Sequence, residues 1–369
     1  MTKVLFCTNG IFPHAVGGVQ RHNRMLIEYL AKYDDISLTV IHPHRKEKIF
    51  GGVENINEIH LPKIKNGKPH HLMTRYEESK KVYEIIEDHP DYAVYSPDFS
   101  VWYGIDNVKE RLIFNPHGLE AYQPTDLKNR LIVLPYRFAV NHLLKYPRYV
   151  VSLGGKLTDI LHPRINKKHT ELVVIPNAIS MPKEVTVPKS FGKPLKFLFV
   201  GRFAYNKGIH ILMQAIDELN KKGYGNDCQF ILAGKGPLYE KYKNECTYSN
   251  VSMPGFVTDE ELFNYYKSCD VFVFPTLFEG MPTVVLEAMS YGMPVIVSDV
   301  GATAELVNNE NGYLMKKNKA AELAQRICHF AEQPASKKEA MSKASYEKVK
   351  TRFTWDIVAA EYREIFKNI

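Results

Sequence analysis

Residues 270–298 read DVFVFPTLFEGMPTVVLEAMSYGMPVIVS. Two apolar runs, 270–275 and 292–298, are bounded by Gly and Pro and are predicted to be buried strands. Between them a loop leads into an apolar helix, so the stretch forms the repeating unit of a parallel α/β sheet. Glu279 is placed in the loop, and Glu287 lies eight positions further on, about a turn into the helix. An apolar helix rarely carries a carboxylate unless a specific partner pairs with it or donates hydrogen bonds to it.

The position of these carboxylates predicts a ligand site. Open parallel sheets bind ligands at the carboxyl ends of their strands, and the N–H groups at a helix start favour a phosphate. A second loop of this kind follows the apolar strand that ends at Val200. It carries Arg202, which can fork onto phosphate oxygens, and Lys207, which can place a point charge beside them. We interpret the two loops as a sugar-nucleotide site, although surface cations are also commonly just exposed.

Length and composition indicate a two-domain globular protein. The 369 residues exceed one ordinary α/β domain, and the hydrophobic and charged fractions of 45% and 24% are typical of globular chains. No apolar run approaches the roughly 18 residues of a membrane span, and the start at Met1 lacks the pattern of a signal peptide. The five cysteines are scattered without a CxxC pair, which favours reduced thiols over disulfides or a zinc site. We therefore expect a cytoplasmic location.

The net charge of +7 is concentrated in one segment. Nine Lys or Arg residues lie between Lys128 and Lys168 against a single acid, Asp159, with apolar residues among them. An anionic membrane surface would attract such a segment, although a solvated helix face remains an equal alternative. Nucleic acid is not expected as a partner, because no nucleic-acid-binding motif accompanies the charge.

Strand-like and helix-like segments alternate in two series along the chain. The first series predicts a Rossmann-like domain over residues 1–180, and the second predicts another over 195–353. Residues 181–194 contain several prolines with little periodicity and are predicted to be a linker. Two such halves are expected to face each other across a ligand-binding cleft. The helix predicted over 354–369 has no strand after it and needs an outer surface to pack against.

The order and spacing of these motifs resemble glycosyltransferase family 4, whose members have the two-domain GT-B fold. In the second half the resemblance rests on the E-x7-E pair Glu279 and Glu287 and on Val200–Gly208, Ala233–Pro237, Gly255–Val257 and Phe278–Ala288. In the first half it is looser and rests on Gly17–Gly18, Pro116–Glu120 and Pro176–Ala178. Ala178 departs from the Asn-Gly usual in the family, and Leu153–Gly155 departs from its Ser-containing pattern. Both departures concern the acceptor side or the linker.

The resemblance implies roles for the residues around the donor. Arg202 and Lys207 would hold the diphosphate and offset the charge that builds on the leaving group. Glu287 would accept hydrogen bonds from the ribose, and Glu279 would bind hydroxyls of the transferred sugar. The backbone around that sugar would come from Gly280, Met281, Pro282 and Thr283, with Pro282 suited to the first helical position.

The remaining implied residues surround the phosphates, the base and the sugar. Gly17 and Gly18 would bring backbone near the diphosphate, and Gly234 would shape a tight turn beside the phosphates. Phe256 and Val257 would meet the base. His117 would lie near the sugar, touching a hydroxyl or steadying positive charge, although a lone histidine is often only a hydrogen-bonded loop residue. Likewise, Glu287 could be paired to a cation.

The implied reaction is a retaining hexosyl transfer from a UDP- or GDP-sugar to a glycan or lipid-linked acceptor in cell-surface polysaccharide or glycolipid synthesis. No DxD sequence occurs in the chain, so metal-independent transfer is favoured and no cofactor is expected. Two alternatives remain: a non-hydrolysing UDP-sugar 2-epimerase of the same fold, and an inactive nucleotide-sugar-binding subunit. A glycosidase is less consistent with the spacing, because its two carboxylates normally flank the scissile bond from different strands.

Overall fold

The structure is a computed structural model that describes residues 1–44, 49–63, 71–123, 127–316 and 319–369. The chain divides into two compact units. The first comprises residues 1–178 together with 355–369, and the second comprises residues 179–354. Residues 181–194, predicted as a linker, lie within the second unit.

Each unit is built from alternating strands and helices. The strands are β1 (Thr2–Cys7), β2 (Ile36–His42), β3 (Ile56–His60), β4 (Ala93–Ser96), β5 (Leu112–Phe114), β6 (Tyr149–Ser152), β7 (Glu171–Val174), β8 (Leu195–Val200), β9 (Cys228–Ala233), β10 (Val251–Gly255), β11 (Val271–Phe274), β12 (Val295–Ser298) and β13 (Gly312–Met315). The helices are α1 (Gly18–Leu30), α2 (His71–Glu87), α3 (Leu127–Ile132), α4 (Leu134–Leu143), α5 (Lys156–Leu161), α6 (Ile209–Lys221), α7 (Tyr239–Glu245), α8 (Asp259–Ser268), α9 (Thr283–Ser290), α10 (Thr303–Leu306), α11 (Ala320–Glu332), α12 (Ala335–Arg352) and α13 (Trp355–Lys367). Short 3₁₀ turns lie between several of them.

Both units contain one parallel sheet, so the prediction of two Rossmann-like domains is confirmed. The first sheet has seven strands in the order β3-β2-β1-β4-β5-β6-β7, and the second has six in the order β10-β9-β8-β11-β12-β13. All the pairings are parallel. The strand order reverses between β1 and β4 and again between β8 and β11. At such a switch point the loops that follow the two strands diverge and leave a crevice.

Two edge strands, β3 and β13, were not predicted from the sequence. The first, INEIH, has only two apolar residues, Ile56 and Ile59, and both are only half-buried, because an edge strand packs less of its surface. The second begins at Gly312, where a Cβ would come within 2.0 Å of the Val295 carbonyl oxygen. Glycine there permits the close approach of β13 to β12, but a single glycine gives no strand signal in the sequence.

The last helix belongs to the first unit, as predicted. Its buried face places Trp355, Val358, Tyr362 and Phe366 in the same apolar cluster as Phe6 of β1. Arg363 also donates two hydrogen bonds to Asp35, at 2.9 and 2.5 Å, and Lys367 pairs with the same carboxylate at 2.8 Å. These cations hold the pKa of Asp35 well below its usual range. The core of the first unit therefore depends on residues from both ends of the chain.

No helix in the described part of the chain combines the length and the apolar character that a bilayer span requires.

Candidate active site

In the second unit, the loops after β8 and β11 meet at the switch point of the sheet. The β8 loop ends in a 3₁₀ turn that carries Lys207, and the β11 loop carries Glu279. The Lys207 Nζ and Glu279 Oε1 atoms are 2.5 Å apart, with the side chains only 26% and 13% exposed. The Thr276 hydroxyl donates to the same carboxylate oxygen at 3.0 Å. The sequence predicted both loops at a phosphate site, and the structure brings their charged side chains into direct contact.

Glycines allow the backbones of these loops to approach one another. Gly208 has a φ of +70°, and a Cβ there would lie 1.7 Å from the carbonyl oxygen of Pro275 in the β11 loop. Gly301, in the loop after β12, has a φ of +55°, and its Cβ would lie 2.2 Å from the Glu279 carbonyl oxygen. Any larger residue at either position would push the Glu279 loop away, so both glycines fix where its carboxylate sits.

Gly234 supports the neighbouring β8 loop in the same way. Its φ is +133°, and a Cβ there would lie 2.0 Å from the carbonyl oxygen of Gly201. Gly236, two residues on, also packs closely, since a Cβ there would lie 2.6 Å from the carbonyl oxygen of Phe203. These contacts hold the segment that contains Arg202, whose side chain is exposed and forms no ion pair with any residue that the structure describes. Gly234 therefore shapes the turn, as the sequence predicted.

Glu287 lies within α9, as predicted, and accepts a hydrogen bond from a buried tyrosine. The Tyr266 hydroxyl, on α8, donates to Glu287 Oε2 at 2.9 Å. Burial, reinforced by the charge of Glu287, raises the pKa of Tyr266 well above its ordinary value, so the hydroxyl stays protonated. Tyr266 thus helps to orient the Glu287 carboxylate.

Replacing Tyr266 with Phe is expected to weaken donor binding without changing the chemical step. The lost hydrogen bond to a charged group should raise the KM for the donor about 5- to 10-fold while leaving kcat within about twofold, the pattern of uniform binding. Tyr291→Phe is the matched control, because its ring stacks on Tyr266 at 5.5 Å while the hydroxyl that donates to Glu287 is that of Tyr266. Steady-state kinetics of both variants provide the measurement. An unchanged donor KM in Tyr266→Phe would contradict a positioning role.

The start of α9 differs by one residue from the prediction. Pro282 is not the first helical residue but the cap before it, with an extended backbone (φ −72°, ψ 114°), and the helix begins at Thr283. The fixed φ of proline suits either position, which is why the sequence does not separate them. Met281 is buried, and the Ala302 N–H donates to the Gly280 carbonyl oxygen at 2.8 Å. The backbone from Gly280 to Thr283 is therefore anchored from the β12 loop.

Phe256 and Val257, the residues expected at the base, follow β10 at the outer edge of the second sheet. The Phe256 ring is 79% exposed, and Val257 is half-buried. Strand β10 is two strands away from β8, so the structure does not place these side chains beside Lys207 and Glu279.

His117 lies in the first unit, in the loop after β5, where it is 8% exposed. Its backbone is left-handed (φ +51°), and its N–H donates to the Asn115 side-chain oxygen at 3.1 Å. Asn115 in turn donates to the Tyr362 hydroxyl of α13 at 2.8 Å. Burial lowers the pKa of His117 well below its ordinary value, with a smaller contribution from His22. The imidazole is therefore neutral near pH 7, with one buried nitrogen, Nε2, that has no hydrogen-bond partner among the described residues.

Gly17 and Gly18 also lie in the first unit, where Gly17 caps α1 and the helix begins at Gly18. A Cβ at Gly17 would come within 2.2 Å of the Gln20 side-chain oxygen, whereas one at Gly18 would meet nothing within 4 Å. His22, one turn into the same helix, contacts His117 edge to face at 4.9 Å between ring centroids. The helix that follows the glycine pair thus also supports the His117 loop.

Sequence reasoning missed the residues that support this site. Gly301 gave a weak signal, since it follows an apolar strand and precedes a short helix. Tyr266 and Thr276 gave none, because Tyr266 is one tyrosine of a largely polar helix and Thr276 is an ordinary residue after a strand. No group of three or more His, Cys, Asp or Glu side chains that could hold a metal ion occurs in the described ranges.

Comparison with solved structures identifies the fold class. Sucrose-phosphate synthase from Thermosynechococcus elongatus superposes with a TM-score of 0.81 at 20% identity, over 100% of this chain and 99% of that one. The Anabaena protein HepE, in complex with UDP-glucose, gives a TM-score of 0.69 at 17% identity over the full length of both chains. The two parallel-sheet units and these neighbours define a GT-B fold.

Comparison with known sequences identifies the enzyme class. Residues 194–333 match the family model described as Glycosyl transferases group 1. An uncharacterised glycosyltransferase of Methanocaldococcus jannaschii is 24% identical over 99% of this chain and 98% of its own length. The putative colanic acid biosynthesis glycosyltransferase WcaL of Escherichia coli is 28% identical, but the match spans 51% of this chain and 48% of that protein. Together these matches support a glycosyltransferase enzyme.

Proposed function

We propose that this enzyme transfers a hexose-type sugar from a UDP- or GDP-sugar to a glycan or lipid-linked acceptor, with retention of anomeric configuration and without a metal ion. The observation that carries the proposal is the contact between Lys207 and Glu279 at the switch point of the second sheet. We assign donor binding to the second unit and acceptor binding to the first.

The paired charges suit the two ends of a sugar–phosphate bond. Lys207, with Arg202 on the same loop, would bind the diphosphate and stabilise the charge that develops on it as the bond breaks. Glu279, oriented by Thr276, would accept hydrogen bonds from hydroxyls of the sugar being moved. Glu287, oriented by Tyr266, would accept hydrogen bonds from the ribose. The HepE structure with UDP-glucose, which shares the fold, supports a uridine nucleotide as one candidate donor.

Retention would follow from front-face attack, in which the leaving phosphate helps to deprotonate the acceptor. The neutral His117 imidazole would contact a hydroxyl by hydrogen bonding rather than through a full charge. Glu279 is already engaged by Lys207 and Thr276, so we give it a binding role rather than that of a covalent nucleophile. The pair Glu279 and Glu287 corresponds to the E-x7-E signature of glycosyltransferase family 4, to which we propose that the chain belongs.

Metal independence is supported by the lack of a DxD sequence in the chain. The experiment that tests the whole proposal is a panel of radiolabelled nucleotide sugars incubated with and without acceptor extracts, in the presence and absence of EDTA. We expect UDP- or GDP-sugar transfer that persists in EDTA. Loss of activity in EDTA that Mn²⁺ restores would overturn the metal-free mechanism. Conversion of the donor without any acceptor would instead identify a 2-epimerase.

The acceptor is proposed to be a growing cell-surface glycan or its lipid-linked precursor. Support comes from the relative WcaL, which is named for colanic acid biosynthesis, and from one surface of the first unit. On this surface, which we call the α3–α4 patch, four large apolar side chains are 40–72% exposed: Leu131, Ile132, Leu134 and Phe138. Exposed cations from the same segment include Arg130 and Lys145. Exposed apolar side chains together with exposed cations are typical of a surface that contacts an anionic membrane.

Binding to anionic vesicles is expected to depend on both components of the α3–α4 patch. Binding of the full chain to phosphatidylserine-containing vesicles should weaken as salt is raised, because cations near the surface contribute about 1 kcal/mol each and are screened. Phe138→Ser should weaken it further. Phe263→Ser, which removes an exposed ring from the second unit, is the control and should have no effect. Equal binding of both variants, or binding that salt does not change, would contradict membrane contact through this patch.

A further inference from the structure

The first unit contains a small cavity at the carboxyl ends of β1 and β2, outside the residues assigned so far. Thr8 and Asn9, which follow β1, line one side, and Ser100, from the loop after β4, lies beside them. Helix α2 forms a wall through Arg75 and Lys81, and the loop after β3 contributes Lys63. The cavity therefore lies at the switch point of the first sheet, the position at which parallel α/β sheets bind ligands.

The charged groups that line the cavity are mostly cations. Lys63, Arg75 and Lys81 face it against one acid, Glu78. Arg75 forms an ion pair with Glu78 at 3.0 Å, but Lys63 and Lys81 have no recorded ion pair with any described residue. His42 also lines the cavity but is bound to Glu58 at 2.9 Å, and burial lowers its pKa, so it adds no charge near neutral pH. Two lysines with unmatched charge thus line the cavity from different elements, Lys63 from the loop after β3 and Lys81 from α2.

A further carboxylate, Asp98, lies near the cavity and interacts with the charge of Arg75, so the unmatched cations are Lys63 and Lys81. Asp98 accepts hydrogen bonds from the N–H groups of Ser100 at 2.7 Å and of Asn9 at 3.4 Å. Burial raises the pKa of Asp98, while the hydrogen bonds from Ser100 and the charge of Arg75 oppose that shift. Its role is to tie the β1 loop to the β4 loop, which keeps the floor of the cavity in place.

The size of the cavity limits what it can hold. Its volume is about 40 Å³, which corresponds to roughly three water molecules at 10–15 Å³ each. A carboxylate or phosphate group is of this size, whereas a hexose ring is much larger. The walls therefore fit a charged group at the end of a ligand, with the remainder of the ligand outside.

We propose that this cavity binds an anionic group, carboxylate or phosphate, carried by the acceptor, with Lys63 and Lys81 as its main partners and Arg75 as a third. This inference rests on the proposed function, because the ligand is identified as the acceptor of the sugar transfer. Acidic sugars and phosphorylated glycans are the substrate classes that carry such groups. Because both lysines are exposed, the affinity for the isolated group is expected to be weak, in the millimolar range.

The test is direct ligand binding to the full chain. Methyl glucuronide supplies the carboxylate, inorganic phosphate supplies the phosphate, and methyl glucoside is the uncharged control, each titrated by ligand-observed NMR. The variant Lys63→Gln/Lys81→Gln removes the two unmatched charges, and Lys109→Gln removes an exposed cation elsewhere in the first unit. UDP and GDP are titrated in the same samples, so a failure of the donor proposal is recorded separately from a failure of this one.

We expect the wild type and Lys109→Gln to bind glucuronide or phosphate with the same affinity. The double variant should bind the same ligand about tenfold more weakly, which is the effect of losing one strong charge-assisted hydrogen bond. Binding of glucuronide alone would assign a carboxylate, and binding of phosphate alone would assign a phosphorylated acceptor. Glucuronide and glucoside binding equally, with no binding of phosphate, would overturn the inference. Unchanged anion affinity in the double variant would overturn it as well, whether or not UDP or GDP binds.

Discussion

Replacing Glu279 with Ala is expected to lower kcat/KM for sugar transfer on the order of 10²- to 10³-fold, the loss typical of removing one preorganised electrostatic group from an active site. The variant removes the carboxylate that we propose contacts the sugar, and it leaves the half-buried Lys207 without its ion-pair partner. The fold should survive, because a single partly exposed ion pair contributes little against a domain stability of about 5–15 kcal/mol.

One further variant separates charge from shape at this position, and a second serves as a control elsewhere in the unit. Glu279→Gln keeps the side-chain shape and one accepting oxygen, so we expect it to retain more activity than Glu279→Ala. Glu240→Ala removes an exposed acid from α7 of the same unit and should behave as wild type. Steady-state kinetics with the preferred donor, alongside thermal unfolding, provide the measurements. Near-normal turnover in a folded Glu279→Ala variant would refute the role of this carboxylate.

Deleting Trp355–Ile369 is expected to unfold the first unit while leaving the second folded. Helix α13 buries six side chains in the first unit: Trp355, Val358, Ala359, Tyr362, Ile365 and Phe366. At about 1.5–3 kcal/mol for each large apolar side chain, their burial contributes on the order of 10 kcal/mol, which is comparable to the whole stability of a domain. Limited proteolysis with mapped fragments should show rapid cleavage within residues 1–178 and slow cleavage within 179–354.

Point variants at Tyr362 test the same packing without shortening the chain. Tyr362→Ala should destabilise the first unit by about 3–5 kcal/mol, as for other buried aromatic residues. Tyr362→Phe keeps the ring and loses only the hydroxyl that accepts the Asn115 hydrogen bond, so its effect should be about 1 kcal/mol. If the truncated chain keeps the first unit as resistant to protease as the wild type, the packing described for α13 is wrong.

The fold could largely be predicted from the sequence, because buried parallel strands are continuous apolar runs. Strand β11, VFVF, is of this kind. The strands that were missed lie at sheet edges: β3 carries two adjacent polar residues, the exposed Asn57 and the half-buried Glu58, and β13 begins with a glycine. The order of the strands within each sheet could not be derived from such runs, since it depends on contacts between segments far apart in the chain.

The charged residues of the site could be predicted, but their support could not. Lys207 and Glu279 each follow an apolar strand, and the position of a loop after a strand is readable from sequence. Their direct contact requires β8 and β11 to be neighbours, which only the sheet order provides. Tyr266 reaches Glu287 from a different helix, and this long-range contact has no periodicity or spacing that the sequence could show.

An experimental structure of the chain with a bound nucleotide sugar, using the donor that the radiolabelled panel selects, would test the proposed donor site directly. We expect the diphosphate at Arg202 and Lys207, the ribose hydroxyls at Glu287, and the hydroxyls of the sugar at Glu279. A nucleotide bound elsewhere, with the Lys207–Glu279 contact unchanged and no ligand beside it, would contradict the proposed site.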